Sequence, residues 1–98
     1  MTNEKIMTLH PHPDKAGVNI SKIKYDQMRA AIEKLLTENG PMSYGEMTPL
    51  LADHFNGRFD GSINWYAVSV KLDLEARGVI ERIPKTRPEQ IRLVEQGA

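Results

Sequence analysis

The sequence predicts an α+β domain in which three helices precede a C-terminal β-hairpin and an extended arm forms the N-terminus. Apolar residues at helical spacing run from about Trp65 and stop at Gly78. Residues 79–83 follow at once, and their apolar and polar side chains alternate as in a half-buried strand. These two observations indicate a helix that ends at a glycine and continues directly into the first strand of a hairpin.

The size of the chain fits one domain. Its 98 residues, of which 40% are hydrophobic, are enough to close a single small core. We expect three parts: an extended arm over residues 1–20, the folded domain over residues 21–94, and a frayed tail over residues 95–98.

The arm is expected to lack helix. Pro11 and Pro13 remove amide donors and restrict the residues before them, which excludes a helix over residues 10–17. Residues 4–9 alternate only weakly between apolar and polar side chains, so they favour either a short strand or an extended segment.

Capping residues delimit the first two helices. Ser21 or Asp26 can begin the first helix, and Gly40 ends it. Ser43 followed by Glu46 is a capping box that opens the second helix. The apolar positions that follow helical spacing in these two helices are Tyr25, Met28, Ile32, Leu35, Leu36, Met47, Leu50, Leu51 and Phe55.

The remaining elements complete the predicted order of helices and strands. Residues 56–61 form a turn-rich loop, and Ser62 caps the third helix. A loop over residues 84–89 separates the strand 79–83 from a returning strand over residues 90–94. With a short extended bridge near Met42, this is the order of a winged helix-turn-helix, in which the hairpin is the wing.

Residues 69–82, SVKLDLEARGVIER, resemble the junction between recognition helix and wing in many bacterial transcription regulators. Nearly the whole chain resembles a family of small uncharacterised bacterial winged-helix proteins, through residues 17–22, residues 24–26, and Trp65 and Tyr66 with residues 69–78. The resemblance implies a winged-helix fold. That family has no established activity, so DNA binding, the usual function of the superfamily, is implied only by the fold.

The third helix is apolar on both sides. The positions on the arc that should face the first two helices are Ile63, Tyr66, Ala67, Val70 and Leu74. The positions on the opposite arc are Trp65, Val68, Ser69, Leu72 and Ala76. A helix that reads the major groove should present Arg, Lys, Asn or Gln there. Here Asp73 and Glu75 flank the apolar arc and would repel phosphate, so we expect polypeptide to cover it.

Two kinds of cover are possible from the sequence. The arm can fold back and lay Ile6, Met7 and Leu9 across the outward arc. Trp65 and Leu72 would then be core residues and would not belong to an interface. Alternatively, a second copy of the chain or another protein can bind the arc, because large exposed apolar patches mark interfaces and tryptophan often dominates their energy. We favour a homomeric interface formed by the third helix and the arm. Its expected residues are Trp65, Val68, Leu72, Ile6 and Leu9.

A DNA-binding regulator is the alternative function. The residues that could contact nucleic acid are Arg58, Asn64, Lys71, Lys85, Arg87 and Arg92. The cations of the hairpin are explained at least as well as ordinary solvated side chains as by contact with DNA, because Glu81, Glu89 and Glu95 lower the net positive charge around them. The chain has 13 basic and 13 acidic residues, and its zero net charge also argues against a strong attraction to phosphate.

Other functional classes find little support. The chain has no cysteine, which excludes thiolate metal sites and cysteine nucleophiles. His10, His12 and His54 lack the spacing of a metal site, and no nucleophile elbow or phosphate-binding glycine loop is present. We therefore expect no enzyme activity, no cofactor and no small-molecule substrate. The N-terminus resembles neither a signal peptide nor a membrane span, so we expect a cytoplasmic protein that does not bind membranes.

Overall fold

The structure is a computed structural model that describes residues 4–94. Its elements in chain order are β1 Lys5–Met7, β2 Asn19–Ser21, α1 Lys22–Asn39, β3 Met42–Ser43, α2 Tyr44–Phe55, α3 Ile63–Ala76, β4 Ile80–Ile83 and β5 Gln90–Leu93. The described residues form three helices and two small antiparallel sheets, which confirms the predicted α+β class. The expected frayed tail, residues 95–98, and residues 1–3 of the arm lie outside the described part.

The C-terminal sheet joins the hairpin to the start of α2. Its strand order is β3-β5-β4, with Ile91 opposite both Met42 and Arg82. The extended bridge predicted near Met42 is therefore present as β3. Ile80 and Ile91 are each 1% exposed, so one face of the hairpin closes the core.

The predicted helix starts are confirmed. The Ser43 hydroxyl accepts the Glu46 amide and the Glu46 carboxylate accepts the Ser43 amide, both at 3.1 Å, which completes the capping box. Ser21 is the cap of α1, where the sequence also allowed Asp26, and Ser62 accepts the amide of Trp65. These bonds satisfy amide groups that the first turn of a helix leaves without partners.

The core is built from all three helices and the C-terminal sheet. The inward arc of α3 is placed as predicted, with Ala67, Val70 and Leu74 fully buried. One position in α2 differs: Leu50 was expected on the inward face but is 36% exposed, because Met47 and Leu51 occupy the centre of that face. The buried apolar residues from the remaining elements include Ile20, Tyr25, Met28, Ile32, Leu35, Leu36, Met42 and Phe59.

The N-terminal arm is a hairpin, which the sequence did not predict. Strand β1 pairs with β2, with Ile6 opposite Ile20. The pairing continues at Thr8, whose amide donates to the Val18 carbonyl at 2.8 Å and whose hydroxyl accepts the Val18 amide at 2.7 Å. Thr8 is only 2% exposed, so these bonds hold the base of the loop between the two strands.

None of the helices in residues 4–94 combines the length and the apolar character that a membrane span requires.

Candidate protein interface on the third helix

The outward side of α3 carries an apolar stripe, made of Trp65, Val68, Ser69, Leu72 and Ala76. Trp65 is 48% exposed and Val68 is 41% exposed, so the first half of the stripe is open to solvent. The indole contacts the ring of Tyr66 edge-on, with centroids 4.9 Å apart. This contact fixes the indole against the helix while leaving its outer face free.

The second half of the stripe lies beside the arm. Leu72 and Ser69 are partly buried, and Leu9 is 44% exposed. A cavity of about 60 Å³ separates the arm from α3, and its walls are formed by Thr8, Leu9, His10, Ala16, Gly17, Val18, Ser69 and Leu72. The arm therefore shelters the C-terminal half of the stripe and leaves a recess there.

The arm does not cover the whole stripe, which corrects the intramolecular alternative drawn from the sequence. Ile6 packs against the core because strand pairing turns it toward Ile20. Met7 points the opposite way along β1 and is 58% exposed. Of the three arm residues, Leu9 alone shares a cavity with Leu72, and Trp65 stays open.

Asp73 anchors the arm to α3. The Leu9 amide donates to its Oδ1 at 2.8 Å, and the Tyr25 hydroxyl donates to its Oδ2. Arg77, one turn later on the helix, donates from Nε to both carboxylate oxygens at 2.8–2.9 Å. The Asp73 carboxylate is fully buried. From the sequence Asp73 was expected at the flank of the outward arc of α3, but it is buried, because its side of α3 packs against α1 and the arm.

Tyr25 is held as a hydrogen-bond donor within this network. Burial raises the pKa of its hydroxyl, and the hydrogen bond to the Asp73 carboxylate raises that pKa further. The phenol therefore keeps its proton over the physiological range and continues to donate to Asp73. Helix α1, helix α3 and the arm meet at this one carboxylate.

Glu75 links the opposite margin of the stripe to the C-terminal hairpin. Its carboxylate is 3.1 Å from Nζ of Lys71 and 3.1 Å from Nε of Arg82 on β4. Arg82 also lies 3.6 Å from Glu89 in the hairpin loop. The Glu75 hydrogen bond raises the pKa of Arg82. The charges beside the stripe are thus paired, and the hairpin is fixed to α3.

The residues expected to contact nucleic acid fall into two groups. Lys71 and Arg92 are paired, with Glu75 and Glu81 respectively, and Asn64 accepts a hydrogen bond from the Tyr44 hydroxyl. The second group consists of three exposed cations that form no ion pair with any of residues 4–94: Arg58, Lys85 and Arg87. This second group is divided between the loop before α3 and the tip of the hairpin.

The histidines of the arm stabilise its loop. Nδ1 of His10 accepts the His12 amide at 3.0 Å, and Nδ1 of His12 accepts the Asp14 amide at 3.2 Å. Within residues 4–94, His and acidic side chains do not gather in any group of three that could hold a metal ion. These ring nitrogens therefore act as local caps for turns in the loop.

The fold and this surface define a small α+β domain that presents a partly open apolar helix face between two β-hairpins. The chain belongs to a family of unknown function, DUF6958, whose model matches residues 5–91. The resemblance to an uncharacterised family is thus confirmed over nearly the whole chain. Neither the curated proteins nor the solved structures gave a match to this sequence.

Proposed function

We propose that the protein is a non-enzymatic winged-helix module whose third helix and N-terminal arm form an interface between two copies of the chain. The observation that carries the proposal is the exposure of Trp65 and Val68, side by side on one helix face, with Leu9 of the arm next to the same stripe. The order of helices and strands, with β3 bridging to the hairpin, supports the winged-helix assignment.

The size of the surface sets the expected strength of association. The stripe and the adjoining arm offer on the order of a few hundred Å² of exposed apolar area, the scale at which patches become functional. A standard interface buries about 800 Å² per partner, so the polar surroundings must contribute to the contact. We therefore expect reversible dimers that form at roughly micromolar concentrations.

The charges favour a second copy of the chain as the partner. The protein has no net charge, so two copies approach without overall repulsion. Along the stripe, Lys71 is neutralised by Glu75 and the Asp73 carboxylate is buried against Arg77. An apolar partner surface can therefore cover the stripe without burying an unpaired charge.

Trp65→Glu tests the proposal. The change places a carboxylate on an exposed position, so the folded state should keep its stability within about 0.5 kcal/mol. Sedimentation over a range of concentrations should show a reversible dimer for the native chain and a monomer for the variant. Ile23→Glu is the matched control, because Ile23 is 59% exposed on α1 and is not one of the stripe residues, so its replacement should leave the dimer intact. A native chain that stays monomeric at high micromolar concentration contradicts the proposal.

A DNA-binding role is the second candidate, favoured by the exposure of Arg58, Lys85 and Arg87 without ion-pair partners among the described residues. In a winged helix the hairpin tip can follow a phosphate backbone. Titration with mixed-sequence duplex should then show binding that weakens steeply as salt is added. The double variant Lys85→Glu, Arg87→Glu should abolish binding, whereas Lys34→Glu on α1 should have little effect. Absence of binding at low salt removes this candidate.

A further inference from the structure

We propose that residues 9–16 of the arm form a lid over the C-terminal half of the stripe, held closed by a single latch. The latch is the hydrogen bond of 2.8 Å from the Leu9 amide to Oδ1 of Asp73. The lid opens while the rest of the domain stays folded, and its opening uncovers Ser69 and Leu72. That the lid limits how much of the stripe a partner can bind is a second step, which rests on the proposed interface.

The base of the lid is fixed more firmly than the lid itself. The Thr8 amide donates to the Val18 carbonyl at 2.8 Å, and the Thr8 hydroxyl accepts the Val18 amide at 2.7 Å. Thr8 is only 2% exposed, so these bonds are sheltered from water. Ile6 and Ile20, which pair in the same hairpin, belong to the core or pack against it. The hinge of the lid therefore lies just beyond the pair of Thr8 and Val18.

The lid has few attachments to the domain beneath it. Residues 11–16 are exposed throughout, and Leu9 is 44% exposed. The cavity of about 60 Å³ lies between the lid and α3, so part of the two facing surfaces is out of contact. The turn bonds of His10 and His12 lie within the lid and preserve its shape when it moves. A segment with so few buried apolar contacts opens at a lower free-energy cost than the core.

Opening leaves the buried carboxylate of Asp73 with partners. Its oxygens still accept the Tyr25 hydroxyl and Nε of Arg77 after the Leu9 amide has left. The Leu9 amide reaches water as the lid opens, so neither group of the latch is left buried and unsatisfied. Opening therefore costs one hydrogen bond to a charged acceptor and does not leave an unpaired buried charge.

Opening also makes the stripe continuous. Trp65 and Val68 are exposed while the lid is closed, whereas Ser69 and Leu72 line the cavity beneath it. These four side chains follow one another at helical spacing on the outward side of α3. A partner that binds the closed form contacts only the first half of the stripe. Because the same partner can also cover Leu72 in the open form, binding and opening should favour each other.

Hydrogen exchange in the native chain tests the lid without any substitution. If the latch breaks while the hinge holds, the Leu9 amide should exchange about tenfold or more faster than the Thr8 and Val18 amides, after correction for intrinsic rates. The Thr8 and Val18 amides are the internal reference, because their bonds form the hinge. A common rate for all three amides would mean that the arm opens only as a whole, which overturns the lid.

Thiol labelling measures whether the lid covers the helix, because the native chain has no cysteine. A bulky maleimide should react about tenfold more slowly with Ser69→Cys than with Val68→Cys, whose position is 41% exposed. Adding Leu9→Pro deletes the amide of the latch and should remove most of this difference. Leu9→Ala is the matched control, because it loses the same side chain but keeps the amide, and its effect should be smaller. Circular dichroism checks that the variants fold.

Each outcome of the labelling decides a named part. Protection of Ser69→Cys that Leu9→Pro removes supports the lid and its latch. Equal rates for Ser69→Cys and Val68→Cys in the otherwise native chain overturn the lid, and protection that survives Leu9→Pro overturns the latch. If Leu9→Pro does not fold, the exchange rates of the native chain decide.

Sedimentation tests the effect of the lid on the interface. Leu9→Pro should associate about threefold more tightly than Leu9→Ala, because more of the stripe is open to the partner. Unchanged association together with positive labelling overturns this effect and leaves the lid standing. A chain that sediments only as a monomer overturns the proposed interface and the effect on it, while labelling and exchange still decide the lid.

Discussion

Asp73 and Glu75 lie two residues apart on α3 and bind different ends of the chain. Asp73 accepts the Leu9 amide of the N-terminal arm, and Glu75 accepts Arg82 of the C-terminal hairpin. Two residues along an α-helix are separated by about 200° around its axis, so the two carboxylates face opposite ways. The apolar stripe runs between them. The arrangement of arm, helix and hairpin that frames Trp65 therefore depends on these two acids.

Asp73→Ala should lower the free energy of unfolding by about 3 kcal/mol, because the Leu9 amide and the Tyr25 hydroxyl both lose their acceptor. Urea denaturation measures the loss, and hydrogen exchange at the Leu9 amide reports release of the arm. Arg77→Met is the control: it removes the ion pair from a side chain that is 34% exposed but leaves both other donors bonded, so its effect should be smaller. Equal effects of the two changes would show that the ion pair, and not the arm contact, matters.

Glu75→Ala should loosen the C-terminal hairpin from α3, because Lys71 and Arg82 share a carboxylate that is only 6% exposed. We expect a loss of about 1–2 kcal/mol. Glu81→Ala provides the comparison, since its pair with Arg92 is about half exposed on both sides and should contribute less than about 0.5 kcal/mol. Thermal unfolding of the two variants measures the difference. Indistinguishable midpoints of the two variants would mean that the Glu75 bonds contribute no more to stability than the exposed pair of Glu81 and Arg92.

Local signals in the sequence were sufficient to predict the domain from α1 to β5. The capping box at Ser43 and the glycine after α3 act within a few residues, so their effect on the chain can be deduced without knowing the fold. The inward arc of α3 follows from helical spacing alone, and Val70 and Leu74 are buried as predicted.

The arm and its anchor could not be predicted in the same way. Strands β1 and β2 have three residues each, too few for alternation to stand out, and their pairing joins segments separated by a proline-containing loop. Asp73 appeared to be a surface acid because its partners, Tyr25 and Leu9, are 48 and 64 residues away in the chain. A buried carboxylate is recognisable only when the groups that satisfy it are known.

The stability of the fold should fall at alkaline pH through Tyr25. Because its pKa is raised in the folded state, folding favours the protonated phenol. The resulting stabilisation is complete below the ordinary tyrosine pKa of about 10 and is lost as the pH rises through the raised value. Tyr25→Phe should be less stable than the native chain near pH 7, and its stability should decline less between pH 9 and 11. Tyr66→Phe, which leaves Asp73 untouched, should follow the native curve. Denaturation at several pH values measures all three.

Gly17→Ala should detach the loop of the arm. A Cβ at this position would lie 1.9 Å from the Thr8 carbonyl oxygen, and that oxygen belongs to backbone that cannot rotate away. Relieving the clash requires the segments at Thr8 and Val18 to separate, which breaks the bonds between them and should lower stability by about 1–3 kcal/mol.

Gly45→Ala is the control, and its expected change in stability has the opposite sign. Gly45 lies inside α2, where an added Cβ meets no atom closer than 3.9 Å, so Gly45→Ala should stabilise the protein by about 0.5–1 kcal/mol. Denaturation measures both effects, and hydrogen exchange should show lost protection of the Thr8 and Val18 amides in Gly17→Ala alone. If those amides stay protected, the close approach at Gly17 is not what keeps the segments at Thr8 and Val18 together.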